Sequence, residues 1–180
     1  IRLIVPFAAG GTTDLVARIT AQGMSEQLGQ QVVVENRGGS GGVIGSEAVL
    51  AAAPDGYTIA FHSISSAVLN AGLYRNLPFD LRRSFTPVAL VGSVPNIVVV
   101  NNRVPAQTLQ ELIALLRREP GRHSYASSGA GTIVHLSAHL LAQMGGVQMV
   151  HVPYRGSGPA MADVIAGTVD MIVDTLPSTI

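Results

Sequence analysis

The sequence contains no cysteine, no tryptophan and no lysine, so all eleven of its basic residues are arginine. The absence of cysteine excludes disulfide bonds, thiolate nucleophiles and Cys-ligated zinc. Eleven acidic residues balance the arginines, so the chain has no basic face for a nucleic-acid partner. Without lysine, a Walker-type phosphate loop is also excluded. No apolar run is long enough to span a bilayer, so we expect a chain that does not cross the membrane.

What is present favours a folded α/β protein. The chain has 180 residues, of which 47% are apolar, and this is enough to bury one or two cores. An apolar strand that runs into a glycine-rich turn and then a helix occurs twice, in residues 3–14 and 124–132. Such a turn leaves N–H groups free at a positive helix end, where an anion can approach small residues closely. Two such turns that face each other would bind a carboxylate or a phosphate.

Apolar periodicity predicts strands that alternate with helices along the chain. This alternation is typical of parallel sheets covered on both faces. Thr108 and Glu111 form a capping-box pattern at the start of one helix, and Pro120-Gly121 ends it. The predicted strands are residues 3–7, 31–35, 57–61, 88–91, 97–100, 124–126, 149–152 and 169–173, and the predicted helices are 13–28, 43–52, 109–118, 133–144 and 159–166.

A break in the pattern at residues 101–105 predicts a crossing between two lobes. The first lobe then covers residues 1–100 and the second covers residues 101–180. The last predicted strand runs into residues 174–180, which resemble the turn before a further helix, so we expect the second lobe to continue beyond Ile180. The chain begins at Ile1 without a methionine, as it would after removal of a signal peptide.

Two further patterns suggest cofactor sites, and neither is complete. The glycine-rich residues 38–45 follow a strand and open a helix, but their spacing differs from the dinucleotide fingerprint and no acidic residue ends the next strand. We interpret them as a structural connection. His135 and His139 share one helix face, but the third ligand and the glutamate of a zinc-protease motif are missing. We therefore expect neither a cofactor nor a metal ion.

Several motifs stand in a fixed order along almost the whole chain: IVPFAAGGTTD at 4–14 with Ala17-Arg18, VENR at 34–37 with Gly41-Gly42, PDGYT at 54–58, YASSG at 125–129 with Gly131-Thr132 and His135-Leu136, HVPYRG at 151–156 before Pro159-Ala160, and Val169-Asp170. Together they make the sequence similar to the Bug-type, TctC-like extracytoplasmic receptors of tripartite tricarboxylate transporters. A set of ordered motifs is far more specific than any one of them.

The resemblance implies a type II periplasmic binding protein-like fold, in which two α/β lobes with mostly parallel sheets close over a ligand cleft. It implies a non-catalytic periplasmic receptor that passes a small carboxylate to the membrane components of a transporter. The ligand would be an amino acid, a di- or tricarboxylate or an aromatic acid. We also expect the lobes to move against each other, with residues 100–105 among the hinges.

The resemblance also implies which residues line the cleft. Asp14 is expected to orient its loop rather than to contact an anion, because a carboxylate in the first turn of a helix offsets the helix dipole. The residues implied to line the cleft are Phe7, Ala8, Gly10, Gly11, Thr12 and Asp14 in the first loop, Ser63, Ser65 and Ser66 at a strand end with Asn70 behind it, Ser127, Ser128, Gly129, Thr132 and His135 in the second loop, and Asp174 on a third wall.

Two other classes of function stay open. A hydrolase would use Ser127 or Ser128 with His135, although neither serine lies in a G-x-S-x-G nucleophile motif and no orienting acid is evident. A regulatory or interaction module could share the two lobes and bind no ligand.

Overall fold

Each half of the chain builds its own β-sheet, and the computed structural model describes residues 1–180. In the first half, three parallel strands form a sheet with the first strand at its centre. The central place suits this strand because Leu3, Ile4 and Val5 are apolar and almost completely buried. The elements of this half are β1 (Arg2–Val5), α1 (Thr12–Leu28), β2 (Val33–Asn36), α2 (Val43–Leu50) and β3 (Thr58–Ala60).

Short helices that the sequence analysis did not predict follow the first sheet. A π-helical segment, Ser65–Leu69, leads into α3 (Asn70–Leu73), and α4 (Leu81–Ser84) comes next. The strand predicted at residues 88–91 is wrong, since this run is unpaired and Val88 and Leu90 are 90% and 91% exposed. An apolar run becomes a strand only where a neighbour supplies backbone hydrogen bonds, and nothing in the sequence of the run reveals that.

The second half forms a four-stranded sheet in which one edge strand is antiparallel. Its central strands pair in parallel, as the alternation of strands and helices predicted. The elements are β4 (Asn96–Val100), α5 (Leu109–Arg118), β5 (Ser124–Ser127), α6 (Ile133–Gly145), β6 (Val150–Pro153), α7 (Ser157–Ala166) and β7 (Met171–Thr175), and the strand order is β4-β7-β5-β6.

The strand β4 lies in the second sheet, although the sequence analysis assigned it to the first lobe. It pairs antiparallel with β7 along its whole length, from Asn96 opposite Thr175 to Val100 opposite Met171. The crossing between the sheets therefore precedes β4 and runs through residues 85–95, whereas the sequence analysis placed it at 101–105. Val104, within that predicted crossing, is buried in the core of the second lobe.

The second sheet carries a hydrophobic core on each face. Met171 and Val173 of β7 pack on one face with Leu116 of α5, and Ile172 between them packs on the other face with Val164 of α7. This division follows from the period of two along a strand. The first lobe has a core of its own around β1 and α1.

The five predicted helices are confirmed, and their ends differ from the predicted ones by two residues or fewer. At α5, Thr108 Oγ1 accepts a hydrogen bond from Glu111 N (3.2 Å), as in a capping box. The Glu111 carboxylate accepts from Gln107 N (2.6 Å), one residue before the usual partner. None of the helices combines the length and the apolar character needed to cross a membrane.

Two glycine-to-alanine variants test how closely α2 packs on the first sheet. A Cβ atom on Gly45 of α2 would lie 2.5 Å from Pro6 Cα, so Gly45→Ala should destabilise the protein by about 1–3 kcal/mol through overpacking. A Cβ atom on Gly23 of α1 would meet nothing within 4 Å, so Gly23→Ala should stabilise by about 0.5–1 kcal/mol. Urea unfolding measures both changes, and shifts of the same sign would contradict this packing.

Candidate ligand-binding site

A cavity of about 730 Å³ lies between the two lobes. Its walls are the N-terminal end of α1, the segment that follows β3, the crossing segment and the C-terminal end of β7. The carboxyl ends of parallel strands therefore open onto it, which is where ligands bind in open α/β sheets. The cavity has the volume of a small-molecule site.

The N-terminus of α1 reaches this cavity without a side-chain cap. Gly11 is the N-cap residue and has no side-chain oxygen to cap the helix. The first backbone N–H group of the helix that has a partner is that of Leu15, which donates to Gly11 O (3.0 Å). The N–H groups of Thr12, Thr13 and Asp14 donate to no protein acceptor. These residues and Gly11 all line the cavity. The positive end of a 17-residue helix is thus open towards a ligand.

Asp14 is occupied in holding this loop in place. Its carboxylate accepts hydrogen bonds from Gly10 N (3.0 Å), Asn36 Nδ2 (2.8 Å) and Arg18 Nε (3.0 Å), and Arg18 Nη2 also lies 3.0 Å from it. Burial alone would raise the pKa of Asp14, but these hydrogen bonds outweigh burial and hold the pKa below its usual value. Both of its oxygens are used within the protein, which supports the orienting role expected for it.

The N-terminus of α6 is capped, in contrast to that of α1. Thr132 Oγ1 accepts from His135 N (3.4 Å), and Ser65 Oγ of the first lobe accepts from Ile133 N (2.9 Å). Gly129 faces Gly41 Cα and Tyr154 O rather than the cavity. The two glycine-rich turns are therefore not equivalent here, because the second one contacts the opposite lobe directly.

Three buried polar side-chain atoms in the cavity wall have no hydrogen-bond partner. They are His62 Nε2, Ser63 Oγ and Asp174 Oδ2. Burial lowers the pKa of His62 to about 4, so its ring is neutral at physiological pH. A buried polar atom without a partner costs about 1–3 kcal/mol, and such atoms in one cavity are typical of a site that a ligand completes.

The structure places eight of the predicted contact residues in the cavity lining. The eight are Phe7, Gly11, Thr12, Asp14, Ser63, Ser65, Ser128 and Asp174. The other eight, Ala8, Gly10, Ser66, Asn70, Ser127, Gly129, Thr132 and His135, lie outside this lining. Sequence analysis missed Thr13, His62, Ser157 and Thr175, which also line it, although Thr13, His62 and Thr175 each adjoin a predicted residue.

His135 belongs to an aromatic stack behind the second loop. Its ring lies 4.1 Å from that of His151, which in turn stacks on Tyr125 at 4.9 Å. Gly131 N donates to Nδ1 of His135 (3.1 Å), and Nε2 of His151 lies 2.6 Å from Ser127 Oγ. The serine–histidine pair in the fold is thus Ser127 with His151. Ser127 is fully buried, and none of the hydrogen bonds of His151 goes to a carboxylate.

The glycine-rich residues 38–45 join parts of the fold. A Cβ atom on Gly42 would lie 2.7 Å from Ser66 Cβ, and Gly41 O accepts from Asn70 Nδ2 (3.1 Å). Close packing explains the glycines here without a bound dinucleotide. No group of three or more His, Cys, Asp or Glu side chains is arranged to hold a metal ion.

Two α/β lobes around a cavity at their strand ends define a periplasmic binding protein fold. A solved protein described as a periplasmic transporter superposes with a TM-score of 0.97 at 43% identity, over 99% of this chain and 60% of its own. The chain belongs to the TctC family, the tripartite tricarboxylate transporter family receptors, whose model matches residues 16–180. Members and structural neighbours of this family are substrate-binding proteins rather than enzymes.

Relatives of known sequence agree with this assignment. A UPF0065 protein encoded between tcbD and tcbE in Pseudomonas sp. strain P51 is 45% identical over 97% of this chain and 52% of its own length. Protein BugT of Bordetella pertussis is 39% identical over 100% of this chain and 56% of its own. The chain thus spans about half the length of the curated relatives it matches.

Two similar solved structures contain a carboxylate. Rpa4515 of R. palustris, solved with adipate, has a TM-score of 0.96 and 37% identity over 99% of this chain and 60% of its own. MatC from Rhodopseudomonas palustris, solved with bound malate, has a TM-score of 0.90 and 32% identity over 97% of this chain and 60% of its own.

The histidine stack predicts a loss of stability in acid. Burial and then the neighbouring His135 lower the pKa of His151 to about 4, and burial and then His139 lower the pKa of His135. Between about pH 6.5 and pH 4 the unfolded chain therefore binds more protons than the folded one, so the free energy of unfolding falls as the pH is lowered. Urea unfolding from pH 7.5 to 4.5 measures this, and His151→Gln should flatten the dependence. An unchanged slope in the variant would contradict the assignment.

Proposed function

We propose that this chain belongs to a periplasmic receptor that captures a small carboxylate between its two lobes and delivers it to the membrane components of a tripartite tricarboxylate-type transporter. The observation that carries the proposal is the uncapped N-terminus of α1 in the wall of the 730 Å³ cavity. Its free N–H groups and helix dipole offer charge-assisted hydrogen bonds to one carboxylate.

Neutral groups supply the attraction in this proposal. No arginine lines the cavity, and Arg18 of α1 is already paired with Asp14. Fixed N–H groups cost little reorganisation when the ligand arrives, so they compensate the desolvation of a carboxylate without a cation. Ser63 adds a hydroxyl group that has no hydrogen-bond partner in the protein to the same wall. A chain with zero net charge and no lysine can therefore bind an anion.

The similar structures support a carboxylate as the ligand class. Adipate and malate differ in length and in hydroxyl content, but both carry carboxylates, and both are the ligands of proteins that superpose on nearly all of this chain. The family assignment supports a periplasmic location and a transporter as partner.

Two polar contacts between the lobes support closure over a ligand. Ser65 Oγ accepts from Ile133 N (2.9 Å), and Thr175 Oγ1 lies 2.7 Å from Thr12 Oγ1. Both pairs lie beside the cavity, so closure would bring them together. Residues 85–95 join the sheets and form no helix or strand, and we propose them as a hinge in place of residues 100–105.

A pair of variants at Thr12 tests the backbone N–H group directly. Proline is favoured at the first position of a helix, and the extended Gly11 before it, with φ −89° and ψ 167°, accepts a following proline. Thr12→Pro removes the N–H group together with the side-chain hydroxyl, whereas Thr12→Val removes only the hydroxyl. We expect the proline variant to bind the carboxylate roughly ten- to a hundredfold more weakly than the valine variant, since a hydrogen bond to a charged group is lost.

The measurement begins with a thermal-shift panel of carboxylates that includes adipate, malate and amino acids, using the intact protein. A ligand at a hundred times its Kd adds about 2.7 kcal/mol to stability, so a true ligand stands out. Calorimetry with the acid that gives the largest thermal shift then compares the two Thr12 variants. Equal affinities would contradict the binding of the carboxylate by the N-terminus of α1. Absence of saturable binding by any acid would favour the interaction module, and turnover of carboxylic esters that is lost in Ser127→Ala would favour the hydrolase.

A further inference from the structure

Asp174 is an acidic residue of the cavity wall whose charge no arginine compensates. The other acidic residue in the wall, Asp14, is paired with Arg18, but Asp174 takes part in no ion pair. Its side chain is completely buried. Oδ1 accepts from Thr175 N (2.7 Å), and Oδ2 has no partner. A buried carboxylate oxygen without a donor is costly, so a donor at this place would stabilise the protein.

Asp174 is close to the N-terminus of α1. The hydroxyl of Thr175 lies 3.3 Å from Asp174 Oδ1 and 2.7 Å from Thr12 Oγ1, so a single side chain links the carboxylate to the first residue of the helix. A ligand carboxylate held at this helix end therefore has Asp174 as a near neighbour. Two carboxylates at such a distance repel each other, unless a donor that belongs to the ligand lies between them.

We propose that Asp174 selects ligands that carry a hydrogen-bond donor, an ammonium or a hydroxyl group, on the carbon next to the carboxylate. The proposal rests on the proposed function, because it takes α1 as the carboxylate site. An ionised carboxylate only accepts hydrogen bonds, so Oδ2 is satisfied by N–H or O–H and is repelled by a carbonyl oxygen. Asp174 then accepts a hydrogen bond from the substituent at carbon 2, and the N–H groups of α1 bind the carboxylate.

The remaining wall favours an uncharged body for the same ligand. Phe61, Ile64, Val68 and Val134 contribute apolar surface to the cavity, and a second carboxylate against this surface would lose its hydration without gaining a partner. The ligand class is therefore a 2-amino or 2-hydroxy monocarboxylate with an apolar remainder.

Matched ligands test this on the unaltered protein. Propionate, hexanoate and 3-phenylpropionate serve as three parent acids. For each parent, calorimetry compares the unsubstituted acid with its 2-amino, 2-hydroxy and 2-oxo derivatives. In the series whose members bind most tightly, we expect the 2-amino and 2-hydroxy acids to bind at least tenfold more tightly than the unsubstituted acid, and the 2-oxo acid to bind most weakly. Equal binding of the four forms would overturn the proposal.

Asp174→Asn supplies the second test. The amide keeps an oxygen for Thr175 N and turns the other position from an acceptor into a donor. The order of affinities should invert. The affinity for the 2-oxo acid should rise at least tenfold, and the affinity for the 2-amino acid should fall at least tenfold. Asp80→Asn, at an exposed helix N-cap, is the matched control and should leave the order unchanged. An Asp174→Asn variant that is folded but keeps the wild-type order would overturn the proposal.

The outcomes separate this proposal from the proposed function. If adipate or malate binds and the substituent at carbon 2 has no effect, the role of Asp174 is overturned and the carboxylate receptor stands. If no carboxylate binds at all, both fall. If the substituted acids bind selectively and Thr12→Pro abolishes their binding, both are supported.

Discussion

One backbone contact fixes how the two lobes meet. Ala8 N donates to Arg155 O (3.0 Å), which joins the loop after β1 to the loop before α7. Side chains would prevent this approach, because a Cβ atom on Gly38 would lie 2.7 Å from Arg155 O and one on Gly156 would lie 2.8 Å from Ala8 N. A Cβ atom on Gly158 would overlap Ala9 O. The start of α1, and hence the cavity, is placed by this glycine-dependent contact.

The helices α1 and α6, which begin at the two turns predicted to bind the ligand, differ at their N-termini. At α1 the N-cap is a glycine, and the residues with free N–H groups line the cavity. At α6 the N-cap is Thr132, and Ser65 of the other lobe satisfies a further N–H group. Thr132 satisfies one N–H group at α6 and Ser65 satisfies a second, whereas the first turn of α1 has neither acceptor. In the function we propose, α1 attracts the ligand, while the start of α6 is held by the opposite lobe.

The sequence predicted where helices and strands lie better than it predicted which of them pair or pack together. Helices such as α5 carry their own start and stop residues, Thr108 and Pro120, so local chemistry fixes them. Residues 88–91 and β4 are both apolar runs, and only β4 is paired, through contacts with β7 far along the chain. Asp174 and Ser63 were predicted through the family resemblance and line the cavity, but His62 and Thr175 were missed, because no local pattern indicates which neighbour of a predicted residue also lines a cavity.

The hydrogen bond from Ile133 N to Ser65 Oγ joins the first turn of α6, in the second lobe, to the first lobe. Separation of the lobes takes the acceptor away and leaves the first turn of α6 with a donor that only water can satisfy. Movement of the lobes would therefore be coupled to fraying at Ile133. A molecule that holds the lobes together would therefore slow amide hydrogen exchange at this position.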